Sequence, residues 1–320
     1  MGSINNSNSY EPLYLTYHFA GPSADLIVPA VALNFVALIG IMLNGIVLVV
    51  TVKSNSLRGS ANFLVALICL CEVFHQIGHT FFLVVVISGI NFVSQLTTNL
   101  FLSPSIFGLS SGLMAMFCAA FDRLFAIISP FQHSFIFIKY KFPYLLGHLL
   151  ICIIYGAFSL TYVFAYAFEN AENPTTGYVD ETLLGSIGYK FFIGTLFLSL
   201  GSIFCYVAIF VIVRCKNGVT QQTNTRVLRS LVIILSISIG GYLFLMPMFE
   251  ILEAIGPSFG SPIRCWQIGC FLGILLNTAA GSNAIVLYFS STEYRQNFKK
   301  EFRAMKLRSS GYSTGFKPGC

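Results

Sequence analysis

Two groups of side chains in this chain could do chemistry. Asp122 and Arg123 stand side by side at the end of an apolar run, in the stretch AFDRLFAIISPFQH (Ala120–His133). An acid beside a guanidinium can hold it as an ion pair until a better partner arrives. The same pair could also serve as a charge anchor where a helix leaves lipid. The second group is Glu72, His75 and His79, whose offsets of three and seven put all three on one face of a helix. An acid with two histidines suits a metal site, a proton relay, or a protonatable acid beside histidines that line a water-filled cavity. Zinc would need further ligands from other helices. The last apolar segment has no histidine, and His148 lies at the far end of its own segment. No metal, other cofactor or catalytic residue set is therefore expected, which argues against a membrane zinc hydrolase or another enzyme.

The elements that carry these residues are apolar. Only 9% of the 320 positions are charged and 56% are hydrophobic, with a mean hydropathy of +0.78. Soluble domains carry about 25% charged residues, so the solvent implied here is lipid. Seven segments are near or above the ~20 residues that cross hydrocarbon: 26–52, 63–87, 99–128, 144–168, 187–213, 227–252 and 265–289. They are too long and unalternating for barrel strands, so the sequence predicts an all-α membrane protein, a seven-transmembrane helix bundle. The first span would direct its own insertion, because no signal-peptide pattern precedes it.

Charge fixes the expected orientation. Lys53, Arg58, Lys139, Lys141, Arg214, Lys216, Arg226, Arg229 and a basic tail lie on one side. Glu11, Asp25, Glu169, Glu172, Asp180, Glu181 and Glu253 lie on the other, against Lys190 and Arg264. The positive-inside rule then places the N-terminus outside and the C-terminus in the cytosol. Although the net charge is +6, its confinement to membrane-flanking loops points away from nucleic acid. Asn5-Asn6-Ser7 is a glycosylation sequon on the expected outer side. Cys265 and Cys270 alone lie near that face, while Cys215 and Cys320 are cytosolic, as free thiols or palmitoylation sites.

The expected organisation is an extracellular segment 1–25, a membrane domain 26–289, an amphipathic membrane-surface helix 290–306 and a cytoplasmic tail 307–320. The helix would open at a Ser290-Ser291-Thr292-Glu293 capping box. Tyr294, Phe298, Phe302 and Met305 then repeat at helical spacing between basic residues. The loop from Glu169 to Gly185 reads as irregular. Asn44, Ser103, Ser105, Asn277 and Asn283 add further intramembrane polar positions.

Taken in order, Asn44, Glu72, Asp122-Arg123-Leu124 with Ser129-Pro130-Phe131, and Asn283 resemble the marks of rhodopsin-like G-protein-coupled receptors. Within these, NSLRGSANFLVALICLCEVFHQIGH, RVLRSLVIILSISIGGY and SNAIVLYFSSTEYRQNF resemble the nematode serpentine chemoreceptors of class sx. The resemblance implies a plasma-membrane or sensory-cilium receptor that binds a small molecule or peptide outside and activates a heterotrimeric G protein inside. It gives the coupling switch as Asp122, Arg123, Leu124, Pro130 and Phe131. It gives the polar network as Asn44, Glu72, Asn277 and Asn283. The ligand would meet His75, His79, Phe101, Ser105, Lys190, Met248 and Phe249.

Several family marks are missing. Thr98 stands near the place of the usual outer cysteine and the facing loop has none. Span six reads Phe244-Leu245-Met246-Pro247 without its tryptophan, no proline follows Asn283, and Gln221–Arg229 contains no acid. Restraint of Arg123 is thus expected to be local. The competing reading is a proton-coupled transporter using Glu72 and the His75/His79 face. It would require inverted repeats and matching broken spans, which the sequence does not display.

Overall fold

In the computed structural model, the described residues are 11–183, 185–215, 261–313 and, within 233–252, residues 233, 236–237, 239–245, 247–249 and 251–252. Asn5, Glu253, Cys320, Lys216, Met246 and the Gln221–Arg229 segment lie outside them. The elements are α1 (Glu11–Tyr17), α2 (Ala24–Lys53), α3 (Ser60–Ile87), α4 (Gln95–Ile128), α5 (Pro130–Lys139), α6 (Lys141–Glu169) and α7 (Gly185–Cys215). After the sixth span come α8 (Pro262–Gly281), α9 (Asn283–Ser290) and α10 (Thr292–Ser313).

Among the described residues, six helices are long and apolar enough to cross a membrane, with α8 and α9 together forming one. The expected sixth span falls mostly on residues outside the description, though its described part includes helical residues from Ile239 to Phe249. Outward-facing side chains such as Phe35, Phe197 and Phe204 are large, apolar and exposed. In water such a surface would be an association hazard, whereas lipid solvates it. Small residues set the helix approach inside the bundle. A Cβ on Gly281 would stand 3.0 Å from the Cα of Gly40, so the backbones of α8 and α2 nearly touch there. One on Gly112 would stand 3.3 Å from the Cβ of Cys71, which brings α4 against α3.

The central core joins Ile68 and Cys71 of α3, Leu102, Ile106 and Met116 of α4, Tyr242 and Leu245 of the sixth span, and Leu276 of α8. Two satellite cores close the ends. Leu13, Leu26, Phe82, Tyr178, Trp266 and Cys270 pack at the N-terminal face. Val47, Val50, Leu57, Tyr294 and Phe298 pack at the opposite face, seating α10 against α2 and α3. Thr51 and Tyr294 share a hydroxyl hydrogen bond of 3.0 Å there, and Lys53 pairs with Glu301 at 3.1 Å. The helix after the last span is capped by Ser291, whose Oγ accepts from the backbone N–H of Tyr294 at 3.3 Å. Ser290 instead donates to the carbonyl of Val286, which shifts the expected cap by one residue.

The loop expected to be irregular from Glu169 to Gly185 contains regular elements among its described residues. Pro174–Thr175 pairs antiparallel with Val93–Ser94, and Val179–Leu183 forms a 3-10 turn. Its backbone is fastened to the start of α4 by Gln95 N–H to the Asn173 carbonyl, 2.8 Å.

Candidate functional site

At the face opposite the N-terminus, α4 ends in a charge cluster. The Asp122 carboxylate is fully buried. Its Oδ2 accepts from Arg123 Nε at 2.9 Å, from the Arg123 terminal nitrogen, and from Ser60 Oγ at 3.1 Å. Its Oδ1 accepts from Tyr144 Oη at 2.7 Å and His133 Nε2 at 3.0 Å. Arg123 also donates to Ser60 Oγ at 2.9 Å. Four helices thus converge on one acid: α3 through Ser60, α4 through Arg123, α5 through His133 and α6 through Tyr144. Desolvating a carboxylate costs several kcal/mol, and this many donors is what offsets it. Among the described residues, Arg123 is held by its neighbour Asp122 and by Ser60; Ser60, His133 and Tyr144 were not among the expected residues.

Ser129 leaves helical geometry and Pro130 begins α5, so the chain folds back and returns His133 to Asp122. His133 is held by rings as well: edge-on contacts with Phe125 and Tyr144 and a stack on Phe137, at centroid distances of 5.6, 6.0 and 6.4 Å. Phe131, on the same short helix, is 83% exposed. Pro130 is exposed and Leu124 half-buried.

A second polar group runs through the bundle between α2, α3 and α8. His75 Nδ1 lies 3.3 Å from Glu72 Oε2, both buried. His79 Nε2 lies 3.1 Å from Asn277 Oδ1, whose amide nitrogen donates to the Gly273 carbonyl at 2.9 Å. Gln76 donates to the Asn277 carbonyl at 3.4 Å. Lower down, Asn283 donates to Asn44 Oδ1 at 3.0 Å, and both asparagines donate to the Ala280 carbonyl at 3.2 Å. These bonds tie the first, second and seventh spans together just where α8 breaks into α9 without a proline. Individually such bonds are worth ~0.6 kcal/mol in membranes.

The expected ligand-lining residues do not all meet. His75 and His79 belong to the polar group, and Ser105 donates to the carbonyl of His75. Met248 and Phe249 are half-buried, with Phe249 packed on the central core. Phe101 and Lys190 do not join them. Phe101 is 65% exposed and stacks on Phe81 at 4.8 Å, because the helical period turns Leu102, Ser105 and Ile106 inward instead. Lys190 is exposed, with its Nζ 5.2 Å from the centre of the Tyr162 ring on the neighbouring helix.

The N-terminal face is instead built from residues outside the expected set. Thr98, near the place of the usual outer cysteine, joins its hydroxyl to that of Thr175 in the facing loop. The buried Glu181 accepts from Thr176 N–H at 2.6 Å, Thr176 Oγ1 at 2.9 Å and Trp266 Nε1 at 2.9 Å. Burial outweighs these donors and pushes its carboxyl up to about 7. Tyr178 donates to the Gly269 carbonyl at 3.3 Å. Asn91, at a positive φ of 60°, donates to the carbonyls of Tyr17 and Gly21 and holds the short helix α1 over the bundle. The only Trp and a loop acid were the available signals; nothing in their spacing paired them.

Among the described residues, no group of three or more His, Cys, Asp or Glu side chains could hold a metal ion. The apolar helices, the acid–guanidinium cluster and the interhelical polar group define a membrane-spanning helical bundle with a buried charge cluster at one face. The family model for serpentine type 7TM GPCR chemoreceptors, Srsx, matches residues 37–302, and the chain belongs to that family. No curated protein matches it.

Proposed function

We propose that this protein binds a small molecule or peptide from outside the cell and activates a heterotrimeric G protein on the cytosolic side. The N-terminal face is then extracellular and the Asp122 cluster cytoplasmic, as the distribution of lysine and arginine favours. The observation that carries the reading is the Asp122–Arg123 pair held by Ser60, His133 and Tyr144 at a helix end. Such a cluster is a two-state element: when Arg123 leaves it, Ser60, His133 and Tyr144 still hold Asp122 and carry the buried acid while the guanidinium is free. The released guanidinium would meet the C-terminal carbonyls and carboxylate of a G-protein α subunit, and the exposed Phe131 would enter an apolar cleft on that subunit.

The bonds of Gln76 and His79 to Asn277 join the second and seventh spans and would couple events near His79 to the break at Ser282. Guanine-nucleotide exchange on a co-expressed G protein tests the reading. Phe131→Ala, on the exposed side of α5, should lower basal exchange several-fold at unchanged surface expression. Exchange unaffected by both Phe131→Ala and Arg123→Ala would refute the coupling.

A further inference from the structure

Residues 176–183 are loop by sequence and core by position. Thr176, Tyr178, Val179, Glu181, Thr182 and Leu183 are all buried. Val179 and Leu183 share the central core with Leu102 and Ile106 of α4, Leu245 of the sixth span and Leu276 of α8. Gly177, at φ +83°, supplies the turn that sends Tyr178 inward. The Tyr178 hydroxyl lies over Gly273, where a Cβ would collide with it, and donates to the Gly269 carbonyl. Its ring is 5.5 Å from Phe82 and 6.4 Å from His79.

His79 adds an unused acceptor to this surround. The Asn277 amide nitrogen is committed to Gly273, so Asn277 presents its oxygen and His79 must donate from Nε2. His79 Nδ1 then keeps a lone pair, buried and without a partner among the described residues. An unpaired buried acceptor is costly, and a ligand donor that reaches it recovers that cost. The segment is also held reversibly. Its fasteners are the Thr98–Thr175 hydroxyls, two short strands and the Glu181–Trp266 bond, with no cysteine between residues 169 and 185.

We propose that the 176–183 segment is a tethered occupant of the receptor's ligand site, and that small uncharged aromatic molecules bearing an O–H or N–H donor take its place. Phenols and indoles are the simplest members of that class. The aromatic ring replaces Tyr178 against Phe82, and its donor meets the Gly269 carbonyl, as the Tyr178 hydroxyl does, or His79 Nδ1; a second donor, where the molecule has one, meets the other. A charged ligand would be desolvated among Phe82, Trp266 and Leu276 at high cost. This inference rests on the receptor reading above.

The test uses the full-length protein in lipid nanodiscs and p-cresol, the side chain of tyrosine as a free molecule. Amide hydrogen exchange across 176–183 should rise as p-cresol is added, and toluene at equal concentration should leave it unchanged. Tyr178→Phe keeps the ring but loses its bond to Gly269, so its half-maximal p-cresol concentration should fall about fivefold. Tyr178→Ala should be protected against heat by p-cresol more than wild type is. The inference is overturned by unchanged exchange in both wild type and Tyr178→Phe, by toluene matching p-cresol, or by no protection of Tyr178→Ala. Exchange needs no G protein, so the two readings fail separately. Loop opening without nucleotide exchange would sink the coupling, and Arg123-dependent nucleotide exchange with an immovable loop would sink the tethered occupant.

Discussion

His133 Nε2 stands 3.0 Å from Asp122 Oδ1, eleven residues and one chain reversal away, and so ties α5 to the acid that holds Arg123. Removing that tie leaves the buried carboxylate with one donor fewer and more dependent on Arg123, whose release then costs more. We expect His133→Ala to lower basal guanine-nucleotide exchange several-fold. Tyr144→Phe removes the 2.7 Å bond to the same oxygen and should lower it similarly. Exchange rates in membranes with matched receptor numbers give the comparison, and a rise in both variants would contradict the account.

Thr98 of α4 and Thr175 of the facing loop meet through their hydroxyls. The double variant Thr98→Cys/Thr175→Cys should therefore form a disulfide under oxidising conditions, detectable by mass spectrometry of the unreduced protein. A disulfide is typically worth 2–4 kcal/mol, so the oxidised variant should melt several degrees above its reduced form.

Glu181 gives the N-terminal face a pH dependence of definite sign. Its carboxyl sits at about 7 in the closed arrangement, raised by burial from an ordinary 4.5. The closed arrangement therefore binds a proton that the open one releases. The resulting stabilisation is fully present below pH 4.5 and is lost as pH rises through 7. Cys270, Trp266, Thr176 and Asp180 are the groups around it. Glu181→Gln should hold the loop closed at all these values. Hydrogen exchange of residues 174–183 between pH 5 and 8, corrected for intrinsic rates, should steepen with pH in wild type and stay flat in the variant.

Gly281 and Gly40 let α8 and α2 approach at backbone distance. Gly281→Val should separate them and disturb Asn283, Asn44 and Gln76 together, at a cost of about 1–3 kcal/mol for overpacking. Reduced thermal stability in nanodiscs would report it, whereas Gly147→Val, where an added Cβ would meet open space, should be tolerated.

The helices were legible because apolar length is a strong signal, and so were Asp122, Arg123, Asn44 and Asn283, which follow a known order. Rotation about each helix axis was not. In a span that is apolar on every side, residue type carries little information about which face turns inward. Phe101 and Lys190 illustrate this: both have the chemistry of a binding site and both point away from the bundle. His133 and Ser60 were hidden for another reason. Their role depends on α5 folding back and on the second span beginning beside the end of the third. The loop from Thr176 to Leu183 was hidden by composition, since Pro, Gly, Thr and acids ordinarily mark a solvated surface.

The most direct test of the switch needs no ligand. His133→Ala should lower basal nucleotide exchange on the co-expressed G protein, and Arg123→Ala should bring it to the level of receptor-free membranes. Exchange in Arg123→Ala equal to that of wild type, at equal surface expression, would show that Arg123 does not carry the signal.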